Sequence, residues 1–191
     1  MKNLIKKKVI SLKPSATLAI NEKSKELIDK GKKIYRFGFG QSPFPVPEKI
    51  VAALKKNAHK KDYLPIQGLP ELRNAIANHL SKKTKNNFNK ENILITPGSK
   101  EAMYLMHVVF DGEIILPTSS WVSYAPQAEL ANNKFHWLQT SCDNNWFPTA
   151  KELEKKIKLI KNKKILLILN SPNNPSGTVC NNLKEIAEVA R

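Results

Sequence analysis

The sequence has little cysteine and arginine and no long apolar run. Only two of its 191 residues are cysteines, Cys142 and Cys180, so neither a disulfide framework nor a cysteine-based zinc site is available. No stretch approaches the roughly eighteen apolar residues that a transmembrane helix needs. Lysines interrupt the basic start, MKNLIKKKVISL, before an apolar core of signal-peptide length develops. We therefore expect a cytoplasmic protein with no metal site and no membrane contact.

Lysine is what the chain has in excess. Lysine and arginine together number 32 against 16 acidic residues, which gives a formal net charge of +16. Arginine, whose bidentate fork reads bases and clamps phosphates, occurs only at Arg36, Arg73 and Arg191. The lysines are spread along the chain, often beside asparagines, which favours a solvated surface over a ligand site. A lysine-rich nucleic-acid-binding protein remains the alternative from another functional class.

The first 90 residues have a helical pattern. We predict helices over 15–30, from Pro47 and from Pro70, the last with Leu72, Ile76 and Leu80 on one face. A short strand is predicted at 34–39, and an irregular loop at 62–70. We divide the chain into an N-terminal arm and lead-in (1–45) and the beginning of a larger domain (46–191).

From Asn92 onward, strands alternate with helices. The predicted strands are 93–96, 113–117, 134–138 and 164–170, and the predicted helices are 100–110, 122–130, 150–160 and 182–190. Strands alternating with helices over short loops predict an α/β fold with a parallel sheet. The strand at 164–170 has no polar alternation, so we expect it to be buried on both faces.

Three loops after predicted strands have unusual chemistry: TPGSK (96–100), PTSSW (117–121) and NSPNNPSG (170–177). Ligands of open parallel sheets bind beyond the carboxyl ends of the strands. In TPGSK, Gly98 permits a tight turn that leaves the N–H groups of Ser99 and Lys100 at a helix N-terminus, where phosphate binds well. The same five residues are also explained by a plain Pro-Gly turn in which Ser99 is the helix N-cap.

Two further residues of these loops suit a flat ligand. Trp121, one helical turn before Tyr124, can stack on a ring, although packing in the core is the more common use of a single tryptophan. In NSPNNPSG, a cis Asn174–Pro175 bond would aim the Asn174 amide into the site, where it can donate to a phenolate oxygen.

In these motifs the chain resembles the class I/II aminotransferases, which are fold-type-I pyridoxal-phosphate enzymes. Asn174-Pro175-Ser176-Gly177 looks like the family's N-P-x-G signature, and DYLPIQGLPELR (62–73) looks like its Y-x-P-x-x-G-x-P-x-L-R segment. FGFGQSPF (37–44) is similar to the family's G-E-P-D-F loop, with Gln41 and Pro43 in place of its Glu and Asp. The resemblance covers roughly residues 15–191 and rests on five motifs in the family's order.

The resemblance implies a role for each of these positions. Asn174 would bind the ring hydroxyl of pyridoxal phosphate, Trp121 would stack on the ring, and Gly40 would bind the substrate carboxylate. The remaining cofactor contacts, all to the phosphate, would come from Gly98, Ser99, Lys100 and, in the neighbouring subunit of a homodimer, Tyr63. The expected activity is transfer of an amino group between an amino acid and a 2-oxo acid.

Family members are about twice as long as this sequence. Their Schiff-base lysine and their substrate-carboxylate arginine lie in the part that would follow residue 191, so no catalytic residue is predicted here. We therefore expect an N-terminal, truncated part of the large domain that is inactive alone. A lyase or synthase of the same fold remains the alternative. In the family's sheet, strands from the later part separate 93–96 from 164–169, so we expect 93–96 to lack ladder partners or to lose its strand conformation.

Overall fold

The computed structural model describes residues 4–12, 16–38, 40 and 42–191, and the Phe39 and Gln41 positions of the 37–44 motif lie outside them. The chain forms two compact units, Met1–Lys13 with Pro97–Arg191 and Pro14–Thr96. The predicted division into 1–45 and 46–191 stays a prediction. The helices are α1 (Lys7–Ile10), α2 (Ala16–Asp29), α3 (Glu48–Asn57), α4 (Pro70–Thr84), α5 (Ser99–Val109), α6 (Tyr124–Leu130), α7 (Ala150–Leu159) and α8 (Leu183–Ala190). The strands are β1 (Glu113–Pro117), β2 (Phe135–Leu138) and β3 (Ile165–Leu167).

The sheet is parallel, as predicted, and β1 lies between β2 and β3. In the register, Ile115 pairs with His136 of β2 and with Leu167 of β3. The two faces of β1 belong to two separate clusters. Ile114 and Leu116 pack with Tyr124 and Ala128 of α6, whereas Ile115 packs with residues of α7 and α8. Helices therefore cover the sheet on both faces, which is the α/β layering expected of the family's large domain.

Local sequence signals set several helix boundaries. Helix α4 begins at Pro70, whose missing N–H costs nothing in the first turn. Helix α7 follows a capping box, in which Glu152 N donates to Thr149 Oγ1 (3.2 Å) and Thr149 N donates to Glu152 Oε2 (2.8 Å). The predicted helices are thus found to within a few residues. A 3-10 turn at Cys142–Asn144 and the short α1 were not predicted.

The second unit is held together around α4. The buried side chains of this helix are those of Arg73 and Ala77, with Ile76 and Leu80 half-buried beside them and Leu72 exposed. Arg73 is buried because its guanidinium donates hydrogen bonds to backbone and side-chain acceptors. A 3-10 turn at Lys90–Asn92, closed by Asn89, lies against α4.

Two predicted strands are absent from the described residues. Residues 34–38 and 93–96 have no strand conformation. For 93–96 this is the outcome expected when the neighbouring strands are missing, because a strand needs a ladder partner for its N–H and C=O groups. The backbone N–H of Ile95 instead donates to Gln67 O at 3.0 Å.

Strand β3 differs from its prediction in length and in burial. It spans three residues, all half-buried, whereas 164–170 was expected to be buried on both faces. Among the described residues it pairs only with β1. No strand in this part of the chain lies along its other edge to complete its burial. Within the described part of the chain, no helix is long and apolar enough to cross a membrane.

Candidate functional site

The loops after β1 and β3 meet at one edge of the sheet. Because the two strands are parallel neighbours, their carboxyl ends lie side by side. The side-chain Nδ2 of Asn173 donates to the backbone oxygen of Ser119 at 2.9 Å, which joins the 170–177 loop to the 117–121 loop. Asn173 is buried. The predicted convergence of these two loops is therefore present in the structure.

The 170–177 loop is a closed turn. Asn173 N donates to Thr178 O (2.8 Å), and Gly177 N donates to Asn173 O (2.7 Å). Asn173 Nδ2 also donates to Ser176 Oγ at 2.8 Å. The Asn174–Pro175 bond is cis, as predicted, and the Ser171–Pro172 bond is cis as well. With Asn173 turned inward, the exposed Asn174 is the asparagine available to a ligand.

Helix α5 begins at Ser99, as predicted, with Gly98 as its N-cap residue. Gly98 has φ +88°, in the region that favours glycine, and a Cβ at this position would meet no atom within 4 Å. The first N–H groups of a helix have no intrahelical acceptor, and the helix dipole favours an anion beside them. The turn before α5 thus combines an open approach with the electrostatics of an anion site.

Lys100 and Trp121 link the start of α5 to the loop after β1. The Nζ of Lys100 lies 5.1 Å from the centroid of the Trp121 ring, a cation–π contact. Gln127 Nε2 of α6 donates to Lys100 O at 2.7 Å. Trp121 also contacts Tyr124 edge to face, with ring centroids 5.6 Å apart, and the half-buried indole packs against the core cluster of β1. Core packing, one of the two uses of tryptophan considered above, is therefore observed at Trp121, and stacking on a ligand ring stays a prediction.

Burial shapes the chemistry of the groups around this edge. It raises the pKa of the Tyr124 phenol, which keeps the hydroxyl protonated. Ser120 Oγ, next to Trp121, is buried without a hydrogen-bond partner in the structure. An unsatisfied buried hydroxyl is uncommon and needs an explanation, such as a group that binds there.

Tyr63 and Gly40 belong to the second unit. Tyr63 lies in the irregular 62–69 segment with a relative exposure of 104%, and Gly40 is exposed. The structure thus brings together the start of α5, Trp121 and the 170–177 loop, all in the first unit. The roles of Tyr63 and Gly40 stay predictions.

Two contributing residues were missed by sequence reasoning. Asn173 joins the loops, and Gln127 fixes the Lys100 backbone. The Asn173-Asn174 pair was visible in the sequence, but nothing local distinguishes the asparagine that turns inward. Gln127 is one polar residue in a short helix, and nothing in the surrounding sequence indicates that it contributes to the candidate site.

A cavity of about 470 Å³ lies elsewhere in the first unit. It borders Phe135, the first residue of β2, and thus the amino end of that strand. The candidate loops lie at the carboxyl ends, so this cavity is separate from the candidate site. Its lining residues are Lys8, Glu129, Asn132, Asn133, Lys134 and Phe135.

Known proteins match the chain over most of its length. The family model for aminotransferase class I and II matches residues 32–191. The chain is 35% identical to an aspartate aminotransferase of Bacillus subtilis over 179 residues, covering 91% of this chain and 44% of that protein. It is also 35% identical to an aspartate aminotransferase of Geobacillus stearothermophilus, covering 96% and 48%.

Solved structures show the same correspondence. Aspartate aminotransferase from Thermus thermophilus, solved with maleate, superposes with a TM-score of 0.88 at 28% identity, covering 98% of this chain and 50% of that one. The Thermotoga maritima aspartate aminotransferase gives a TM-score of 0.85 at 29% identity. The chain spans about half the length of the relatives it matches. Its fold is that of part of the fold-type-I large domain, and the chain belongs to the class I and II aminotransferases.

Proposed function

We propose that this chain provides the N-terminal, cofactor-binding part of a pyridoxal-phosphate-dependent aminotransferase, a transferase of amino groups between amino acids and 2-oxo acids. One observation carries the proposal: the start of α5, Trp121 and the loop with Asn174 are linked at the carboxyl edge of the sheet. The links are the Lys100–Trp121 contact and the Asn173–Ser119 hydrogen bond. A phosphorylated aromatic ring requires an anion site beside an aromatic face and polar donors.

The residues present fit pyridoxal phosphate. The N-terminus of α5 suits its phosphate, and the open space at Gly98, which a Cβ would fill, permits close approach. Ser120 Oγ is a buried polar atom without a hydrogen-bond partner among the residues that the structure describes. Family membership supports the same cofactor.

Each residue has a distinct task in this proposal. The backbone amides of the Gly98–Lys100 turn, with the Ser99 hydroxyl, bind the phosphate. Trp121 lies against one face of the ring and excludes water from it, and Asn174 donates its amide to the ring oxygen. When bound, pyridoxal phosphate supplies an electron sink for the bonds at the substrate's α-carbon.

The second unit contributes the other two contacts in this proposal. Tyr63 donates its hydroxyl to the phosphate of the cofactor in a neighbouring subunit. This contact requires the protein to be a homodimer. The amide of Gly40 binds the substrate carboxylate. Both assignments rest on the sequence motifs at 62–73 and 37–44.

Aspartate is the amino donor that we propose, because both sequence relatives described above are named aspartate aminotransferases. We also propose that the family's covalently bound lysine has no counterpart among the lysines of this chain, and that residues 1–191 therefore do not transaminate alone. The free thiols of Cys142 and Cys180 agree with the proposed cytoplasmic location.

The experiment is a titration of the purified protein with pyridoxal phosphate, followed by absorbance and tryptophan fluorescence. Trp121→Phe and Trp146→Phe form a matched pair, because Trp146 is also partly exposed but lies outside the three loops. We expect Trp121→Phe to weaken cofactor binding and Trp146→Phe to leave it unchanged. Equal effects of the two substitutions would reject the proposed ring site, and aspartate transamination by residues 1–191 alone would reject the proposed inactivity.

A further inference from the structure

The buried Arg73 holds two separate segments of the second unit to α4. Its side chain has a relative exposure of 5%. On one side, Nε donates to Ile93 O (2.9 Å) and Nη2 donates to Lys90 O (2.7 Å). On the other side, Nη1 donates to the side-chain oxygen of Gln67 at 3.2 Å. The Gln67 segment also includes Tyr63.

The segment around Lys90 is a firm anchor. Asn89 Oδ1 accepts from Glu91 N at 2.9 Å, and Asn89 N donates to Asn92 Oδ1 at 3.0 Å, which closes the 3-10 turn. Glu91 Oε2 accepts from Arg73 Nη2 at 3.2 Å, but its side chain is 62% exposed, so solvent weakens this ion pair. The backbone oxygens of Lys90 and Ile93 are therefore the main acceptors on this side.

The loop with Gln67 lies directly against the chain that leaves this anchor. Ile95 N donates to Gln67 O at 3.0 Å, and Gly68 N donates to Pro65 O at 2.8 Å. A Cβ on Gly68 would lie 2.5 Å from the Ile95 side chain, so no larger residue fits there without a shift. The loop is thus held by close packing at Gly68 and by the fork of Arg73 at Gln67.

We infer that Arg73 is a positioning residue for the proposed cofactor site: through Gln67 it fixes the 62–68 loop and thereby places Tyr63. The inference rests on the proposed function only for the role of Tyr63. The contacts by which Arg73 holds the loop are independent of that function. Only a planar fork with several N–H groups can serve the oxygens on both sides at once, and a lysine ammonium cannot.

The test uses the whole protein and a set of variants that each cut one contact. Gln67→Ala removes the link to the loop and keeps the buried backbone contacts of Arg73, whereas Gln67→Glu keeps an acceptor for the guanidinium. Glu91→Ala, which removes an exposed partner of Arg73 on the anchor side, is the matched control. Tyr63→Phe removes the hydroxyl proposed to bind the phosphate. Each variant is titrated with pyridoxal phosphate.

We expect Tyr63→Phe to raise the Kd for pyridoxal phosphate about tenfold or more, as for a lost hydrogen bond to a charged group. Gln67→Ala should raise the Kd several-fold, and Gln67→Glu and Glu91→Ala should leave it within about twofold. If Gln67 acts through Tyr63, adding Gln67→Ala to Tyr63→Phe has no further effect. Additive effects, or a Gln67→Ala variant that behaves like Glu91→Ala, would overturn the inference.

Hydrogen exchange of the cofactor-free protein gives a second readout. Gln67→Ala should speed exchange of the Gly68 and Ile95 amides and leave the amides of α4 unchanged. If Tyr63→Phe binds the cofactor normally, the proposed role of Tyr63 is wrong. In that case, hydrogen exchange of Gln67→Ala tests whether Arg73 fixes the loop through Gln67. Faster exchange at the Gly68 and Ile95 amides supports this inference, and unchanged exchange overturns it.

Discussion

The buried side chain of Asn173 donates its amide to the backbone oxygen of Ser119, 2.9 Å away, and this bond joins the loops that follow β3 and β1. The next residue, Asn174, is exposed. Two adjacent asparagines therefore have different surroundings: Asn173 joins the two loops, and Asn174, which we propose to bind the cofactor, is open to solvent.

Replacing these two asparagines separately should distinguish their tasks. We expect Asn173→Ala to lower the free energy of unfolding by about 1–3 kcal/mol, because it leaves the Ser119 oxygen without this donor in a partly buried place. Asn174→Ala should change the unfolding free energy by less than about 0.5 kcal/mol but weaken binding of pyridoxal phosphate. Urea unfolding and a cofactor titration measure the two quantities. The reverse pattern would contradict the assignment.

Gly68 and Gly31 both have positive φ, but only Gly68 has a close neighbour. Gly31→Ala should therefore lower the free energy of unfolding by about 1 kcal/mol through backbone strain alone. Gly68→Ala adds an overlap with the Ile95 side chain and should lose about 1–3 kcal/mol more. Thermal unfolding of the two variants side by side measures the difference, and similar losses would show that the contact with Ile95 relaxes easily.

Burial lowers the pKa of His107, which is fully buried in α5, and neither ring nitrogen has a hydrogen-bond partner within the described part of the chain. Below the unfolded pKa of about 6.5, the unfolded chain binds a proton that the folded protein does not. Stability should therefore fall as the pH drops from about 7 toward the lowered folded pKa. The measurement is urea unfolding of the whole protein across this range.

The matched variants for this pH effect are His107→Leu and His79→Leu. His107→Leu should reduce the pH dependence and retain stability at pH 7, because it removes two unsatisfied buried polar atoms. His79→Leu, the same substitution at an exposed histidine, is the control. A parent protein whose stability does not change over this range would contradict the prediction.

Residues 1–191 on their own should self-associate. Helix α5 exposes Val108 and Val109, and β3 pairs on one side only among the described residues. Sedimentation velocity should show concentration-dependent oligomers. Val109→Lys should reduce them more than Leu159→Lys, because Leu159 is an isolated exposed leucine at the end of the mostly polar α7. A monomer with cooperative unfolding would show that this part of the chain is stable alone.

Local sequence patterns were sufficient for most of the first unit. Strand β1 was predicted with its observed bounds, and α5 was predicted to start within a residue of Ser99, because apolar runs and the Pro-Gly turn act through neighbouring residues. The motifs at 96–100, 117–121 and 170–177 likewise predicted which loops carry the candidate site. These signals need only backbone preferences and the spacing of apolar residues.

Tertiary structure decided what depends on distant partners. The apolar residues at 93–96 predict a strand, but none forms there. The reason is that a β-ladder needs hydrogen bonds from a neighbouring strand. Arg73 is the clearest case. Nothing in the local sequence predicts its burial, and it is buried because acceptors from residues 67, 90 and 93 surround its guanidinium. The sequence determined the helices, the strands of the sheet and the chemistry of the loops, whereas long-range hydrogen bonds decided which polar residues became interior.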